Sequence, residues 1–123
     1  MEKEGKFCTM NEIDERPWGK YEVLLDDPTT KVKRITVNPG QKLSYQYHLL
    51  RQECWIVTKG NLTTVLDDEK VFREYGESIR IPKGAKHRAW NETDEVVEFI
   101  EVQTGTYFGE DDIVRISDEY NRI

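Results

Sequence analysis

The chain has 123 residues, of which 34% are charged, with 18 basic against 24 acidic side chains and a formal net charge of −6. One hydrophobic core fits this length, and a catalytic domain plus a second folded module does not. The acidic balance argues against nucleic acid and anionic membranes as partners, since both need a basic footprint, but a metal and a few arginines could still make a local site for an anionic small molecule. No apolar run approaches the ~18 residues of a membrane span. The charged start "MEKEGKFCTMNEIDE" lacks the apolar centre of a signal peptide, so a cytoplasmic location is expected. Cys8 and Cys54 are unclustered and are expected to be free thiols without a role.

In chain order, residues 1–15 read as a polar N-terminal arm, and a single domain is expected over 16–123. "RPWGKYEVLLDD" gives turn punctuation and then a strand from Tyr21 to Leu25. "KVKRITV" alternates Val32, Arg34 and Thr36 against Lys33, Ile35 and Val37, the period of a strand. After the turn "NPG", strands are expected in "KLSYQYH", "ECWIVTK", "GNLTTVLDD", "KVFREY", "ESIRI", "KHRAW" and "VVEFIEVQ". The tail "EDDIVRISDEYNRI" reads equally as a helix or an extended arm. Many short strands punctuated by Gly, Pro and Asn give an all-β sandwich or barrel.

Two strings of polar residues stand out against that pattern. The first runs Gly40, Gln46, His48, Glu53, Gly60 with the spacing G-x5-Q-x-H-x4-E-x6-G. The second runs Gly76, Pro82, Gly84, His87, Asn91 with the spacing G-x5-P-x-G-x2-H-x3-N. In this order the pair resembles the double signature of the cupin superfamily, with Gln46 in the first histidine position, which implies a double-stranded β-helix (jelly-roll) barrel. On a strand, Gln46 and His48 share one face. A reversal after His48 can bring Glu53 into the same interior, and His87 arrives from a distant strand. Two imidazoles, a carboxylate and an amide oxygen suit one divalent ion: zinc first, with Mn, Co, Fe or Ni as alternatives. Any one of these residues alone would be an ordinary barrel residue; both histidines of the chain falling in the two motif positions is what favours a ligand set.

The resemblance extends further. "RPWGKYEVL", "VNPGQKLSYQYHLLRQECWIVTKG", "IPKGAKHRAWN" and above all "EVQTGTYFGEDDIVR" are similar to the C-terminal cupin domain of type II mannose-6-phosphate isomerases, which in many cases follows a mannose-1-phosphate guanylyltransferase domain. That nucleotidyltransferase half has no counterpart in this sequence, so GDP-mannose synthesis is not expected from it. The resemblance implies interconversion of mannose 6-phosphate and fructose 6-phosphate, with Gln46, His48, Glu53 and His87 as metal ligands. The reaction moves a proton between C1 and C2 through an enediolate and needs a base. Glu101 is the candidate, because Phe99, Glu101 and Gln103 share a strand face. Arg51 and Arg115 are the candidates for the phosphate, since guanidinium offers a two-pronged donor; each could instead pair with Glu110, Asp111 or Asp112. Arg88 should face away. Trp55 is expected in the core, Trp18 at one end of the barrel and Trp90 outside. A homodimer is expected, by exchange of terminal segments. The competing readings are a non-catalytic sugar or nucleotide-sugar binding module, and an iron-dependent oxidative enzyme using two histidines and a carboxylate.

Overall fold

The computed structural model describes residues 12–117. The expected strand run is present as two antiparallel sheets. We number the strands β1 (Ile13–Arg16), β2 (Gly19–Asp26), β3 (Thr30–Val37), β4 (Tyr45–Tyr47), β5 (Arg51–Lys59), β6 (Leu62–Leu66), β7 (Glu69–Arg73), β8 (Ser78–Ile81), β9 (His87–Trp90), β10 (Val97–Gly105) and β11 (Val114–Ser117), with one 3-10 turn at Glu110–Asp112. The six-stranded sheet runs β1-β2-β3-β10-β5-β8, and the five-stranded sheet runs β11-β4-β9-β6-β7. Among the described residues no helix is long and apolar enough to cross a membrane.

Three expectations change. Residues 13–15, read as the end of a polar arm, pair with β2, Ile13 opposite Glu22 and Arg16 opposite Gly19; residues 1–11 lie outside the described residues. Of "KLSYQYH" only Tyr45–Tyr47 forms a ladder. Lys42 makes a lone bridge to Trp90, and Ser44 turns its hydroxyl onto Gln46, so the segment bends where a continuous strand was expected. The tail begins with the 3-10 turn and then adds β11 to β4, Val114 opposite Tyr47 and Arg115 opposite Gln46; residues 118–123 lie outside the described residues.

Alternation of side chains decides what the barrel holds. On β3 the inward set is Lys33, Ile35, Val37. On β5 it is Arg51, Glu53, Trp55, Val57, and on β10 it is Val97, Phe99, Glu101, Gln103. Register then sorts these along the barrel axis. Val97 faces Val37, Phe99 lies between Ile35 and Val57, Glu101 lies between Lys33 and Trp55, and Gln103 faces Glu53. One half of the interior is therefore apolar, filled by Phe99, Val37, Val57, Val97 and Leu62, all at most 1% exposed. The other half is polar. Gly105, opposite Arg51, lets β10 cross the Leu50–Arg51 backbone closely: its φ is +152°, and a Cβ there would meet the Leu50 carbonyl and stand 2.8 Å from the Arg51 Cα.

The apolar half is closed by Asn91, the last residue of the second string. It is fully buried and fully satisfied: its amide nitrogen donates to the Val37 and Glu95 carbonyls at 3.0 and 2.6 Å, and its oxygen accepts from the Thr93 amide and hydroxyl at 2.9 and 2.7 Å. Removing a side chain whose partners stay buried costs their desolvation as well as the bonds. Asn91→Ala is expected to lose roughly 3 kcal/mol of unfolding free energy, measured as a lower urea midpoint.

Candidate metal centre and cleft

The polar half of the barrel brings His48, Glu53 and His87 together. His48 follows β4, Glu53 stands on β5 and His87 opens β9, so both sheets contribute. The three are about 2% exposed, and their ligand atoms lie within 4.8 Å of one another. His48 Nε2 is 3.3 Å from Glu53 Oε2, and His87 Nε2 is 3.7 Å from Glu53 Oε1. Two donors bound 2.0–2.1 Å from one tetrahedral ion stand about 3.3 Å apart, so the spacing suits a shared cation.

Each imidazole is held from behind. His48 Nδ1 lies 3.0 Å from the Asp112 carbonyl and His87 Nδ1 lies 2.9 Å from the Ala85 carbonyl. A carbonyl only accepts, so Nδ1 carries the hydrogen in both rings, and in the neutral ring Nε2 carries the lone pair. Burial, first of all, pushes the His87 pKa down and favours that neutral form. His87 Nε2 is buried without a hydrogen-bond partner. These residues fit a divalent cation on their own chemistry.

Asp112 does more than hold His48. Its carboxylate accepts from the Leu49 and Leu50 amides at 3.1 and 2.9 Å, so carbonyl and side chain together pin the turn that follows the ligand. Gln46, opposite both His87 and Arg115 in the sheet, reaches the cluster: Nε2 is 3.5 Å from His48 Nε2, while Oε1 accepts from Ser44 Oγ at 2.6 Å. As a ligand it would present its oxygen only after the amide turns over.

Glu53 is the most constrained group. Trp55 Nε1–H donates to Oε1 at 2.9 Å and Arg51 Nε–H to Oε2 at 2.9 Å. Burial opposes its ionisation, but the His48 contact and the neighbouring His87 and Arg51 outweigh it and hold the carboxyl well below the usual range. Arg51, one of the two guanidiniums expected at a phosphate, is thus paired with Glu53, and none of the expected tail carboxylates is its partner. Its Nη2 lies 3.2 Å from His48 Nε2, and it still borders the cleft.

Glu101 lies on the inner face, as the shared face with Phe99 and Gln103 requires. It is 6% exposed, and Gln103 Nε2–H donates to its Oε1 at 2.7 Å. Burial and then the Glu53 charge push its pKa up to about 7. Glu101, Gln46, Arg51 and Arg115 border one open cleft, together with Arg16, Trp18, Tyr21, Lys33 and Glu110. Arg115 Nε is buried there without a hydrogen-bond partner. Arg16 and Lys33 were not singled out by sequence reasoning. Lys33 was legible, because its alternation places it on the face of Ile35 and Val37, where a lysine is out of character. It lies 4.2 Å from the centre of the Tyr21 ring and 3.4 Å from Glu110. Arg16 Nη2 reaches the Tyr21 hydroxyl at 3.2 Å. Trp55 is in the core as expected, stacked on Phe99 at 4.7 Å. Trp18 is buried and borders the cleft. Trp90 points outward between Lys42 and Lys70. Cys54 is a free thiol on the outer face of β5; Cys8 lies outside the described residues.

The family model "Mannose-6-phosphate isomerase C-terminal" matches residues 3–118. A mannose-1-phosphate guanylyltransferase of Salmonella montevideo is 42% identical over 122 residues, 99% of this chain and 26% of that protein. The alginate biosynthesis protein AlgA of Pseudomonas aeruginosa is 40% identical over 123 residues, again 99% and 26%. The xanthan biosynthesis protein XanB of Xanthomonas campestris is 46% identical over 107 residues, 87% and 23%. The chain thus spans about a quarter of these relatives. Among solved structures, a Klebsiella pneumoniae protein with a double-stranded β-helix domain matches at TM-score 0.69 and 20% identity, over 80% of this chain and 83% of that one. The capsular polysaccharide assembling protein CapF of Staphylococcus aureus matches at TM-score 0.78 and 20% identity, over 90% and 34%. At such identities the likeness is one of fold.

The raised Glu101 pKa has a consequence for folding. In the metal-free protein the folded state keeps a proton on Glu101 up to about pH 7, whereas the unfolded chain releases it near the ordinary carboxyl value of 4.5. Stability therefore falls as pH rises between these values, by roughly 3 kcal/mol in all. Glu101→Gln removes this slope. In chelator, its urea midpoint is expected to match wild type near pH 4.5 and exceed it at pH 8.

Proposed function

The chain belongs to the mannose-6-phosphate isomerase C-terminal family, and from that premise we propose that it interconverts mannose 6-phosphate and fructose 6-phosphate. The observation that carries this reading is Glu101: a buried carboxyl, pushed up to about 7, beside the His48–Glu53–His87 cluster and at the edge of a cleft bordered by Arg16, Lys33 and Arg115. A base that must take a proton and give it back works best with a pKa near the working pH. On the open-chain sugar, Glu101 takes the C2 proton of the aldose as the carbonyl electrons move to O1. The same group returns the proton to C1 as the O2 hydroxyl proton passes to O1 and the ketone forms at C2. Gln103 fixes the orientation of the carboxyl through its 2.7 Å bond. The cations on the cleft wall receive the phosphate, with Arg115 and its unpartnered Nε foremost.

We assign the resident cation to His48, Glu53 and His87, with Gln46 as a fourth ligand. Zinc suits this set best, and Mn, Co, Fe or Ni would also be accommodated. When bound, it supplies Lewis-acid stabilisation of the sugar oxygens as charge develops on them. Asp112 supports the set from outside, and Asp112→Ala is expected to weaken zinc binding about tenfold or more in chelator competition.

The decisive assay strips the protein with chelator, reloads it with each of these ions, and follows fructose 6-phosphate formation. Turnover should require metal and be lost in Glu53→Ala and His87→Ala. Glu101→Gln should keep its metal and lose at least about a hundredfold in kcat. The second reading is a binding module for a sugar or nucleotide-sugar, favoured by the relatives' names, which are those of guanylyltransferases and polysaccharide biosynthesis proteins. Metal-loaded protein without turnover, but with a Tm raised by the sugar, would select it. We also propose a homodimer, because among the described residues β11 ends its sheet, and its Val114 and Ile116 are exposed, as are Leu49 and Leu50 after β4.

A further inference from the structure

Arg51 makes two bonds that bear on the metal ligands. Its Nε–H donates to Glu53 Oε2 at 2.9 Å, and its Nη2–H points to His48 Nε2 at 3.2 Å. The guanidinium is 3% exposed, and Nη1 is buried without a hydrogen-bond partner. The carboxylate can share its oxygens, since each has two lone pairs. The imidazole cannot. With Nδ1–H committed to the Asp112 carbonyl, His48 has one lone pair, on Nε2. A cation on that atom sits about 2.0–2.1 Å along the lone-pair axis and takes the same electron pair that the Arg51 Nη2–H approaches.

We propose that Arg51 and the metal are alternative claimants of His48, and that metal loading transfers the Arg51 guanidinium to an anionic group of the ligand in the cleft. This rests on the assignment of the metal to His48, Glu53 and His87. Three features carry it. The electron pair is single. Nη1 has no partner in the Glu53-bound position, so that position leaves the fork unsatisfied. Arg51 already borders the cleft that Arg115 and Lys33 also line, so a small side-chain movement reaches an anion there. Without metal, Arg51 is the charge that lets Glu53 stay ionised and buried. With metal, that need is gone and the fork is free. Arg51 is thus a positioning residue in one state and a ligand contact in the other.

The test uses the full chain. In 15N-labelled wild-type protein, the Arg51 Nε–H signal is expected to be protected from solvent exchange without metal. It should shift and lose protection in proportion to added Zn²⁺. Zinc uptake with an unchanged Arg51 signal overturns the proposal alone; a wild type that takes up no Zn²⁺, Co²⁺ or Mn²⁺ overturns it together with the metal assignment. In Arg51→Met, zinc affinity by chelator competition should rise about tenfold or more, the worth of one charge-assisted bond, while the metal-free protein melts lower. A purely structural arginine would lower both, and equal or weaker zinc affinity counts against the competition. The NMR arm needs no variant that must fold without metal. Inorganic phosphate should bind zinc-loaded Arg51→Met about tenfold more weakly than zinc-loaded wild type; equal phosphate affinity overturns the transfer to the anion.

Discussion

An ionised carboxylate sits at the centre of this barrel, and the polar half of the interior is arranged around it. The Glu53 side chain is 1% exposed. Taking such an ion out of water costs several kcal/mol even after relaxation, and the cost is met only when every lone pair finds a donor or a cation. Trp55 and Arg51 donate to its two oxygens, and a cation held with the nearby His48 and His87 Nε2 atoms would meet its remaining lone pairs. Those donors come from the same strand, at positions two residues to either side, because period-2 alternation turns Arg51, Glu53 and Trp55 inward together. The same charge explains Glu101. Its carboxyl is buried near a carboxylate that is already ionised, and two such charges cannot both be cheap in one dry interior, so one proton is retained up to about pH 7. The ionised Glu53 and the protonated Glu101 are thus two outcomes of burial and a single electrostatic conflict.

Much of this was legible from the sequence, for definite reasons. The spacing of Gln46, His48 and Glu53 crosses one strand end and one reversal, so local geometry suffices to converge them. The inward face of Phe99, Glu101 and Gln103 follows from alternation alone. What alternation cannot give is position along the barrel axis, which depends on register between strands. That Glu101 sits level with Lys33 and Trp55, and Gln103 level with Glu53, is a property of the pairing of β10 with β3 and β5. The role of Asp112 was hidden for a similar reason. It lies 64 residues from His48, in a segment readable as helix or arm, and its contribution includes a backbone carbonyl, which every residue possesses. The sequence leaves Arg51 between a phosphate and the tail carboxylates Glu110, Asp111 and Asp112, because Glu53, two residues away, is assigned to the metal; an inward arginine beside an inward glutamate pairs with it first.

The division of the interior into an apolar and a polar half also explains how the barrel tolerates unsatisfied groups. Thr64 Oγ1 on β6 is buried without a hydrogen-bond partner, and so is a group of four atoms, Arg51 Nη1, His87 Nε2, Gln103 Oε1 and Arg115 Nε. Each such group costs free energy in a structure that needs only to fold. All four lie in the polar half, where strand register places them around Glu53 and Gln46. The apolar half, with Phe99 packed on Trp55 and Asn91 tying β3 to the turn after β9, holds the two sheets together without them. Because the packing energy is concentrated at one end, the other end can keep donors and lone pairs waiting for a ligand. The unsatisfied atoms are of two kinds: a lone pair on His87 and an amide oxygen on Gln103, which suit a cation or a donor, and N–H groups on Arg51 and Arg115, which suit an anion. A ligand carrying both a hydroxylated chain and a phosphate, next to a metal, satisfies both kinds at once, whereas a neutral apolar ligand satisfies neither.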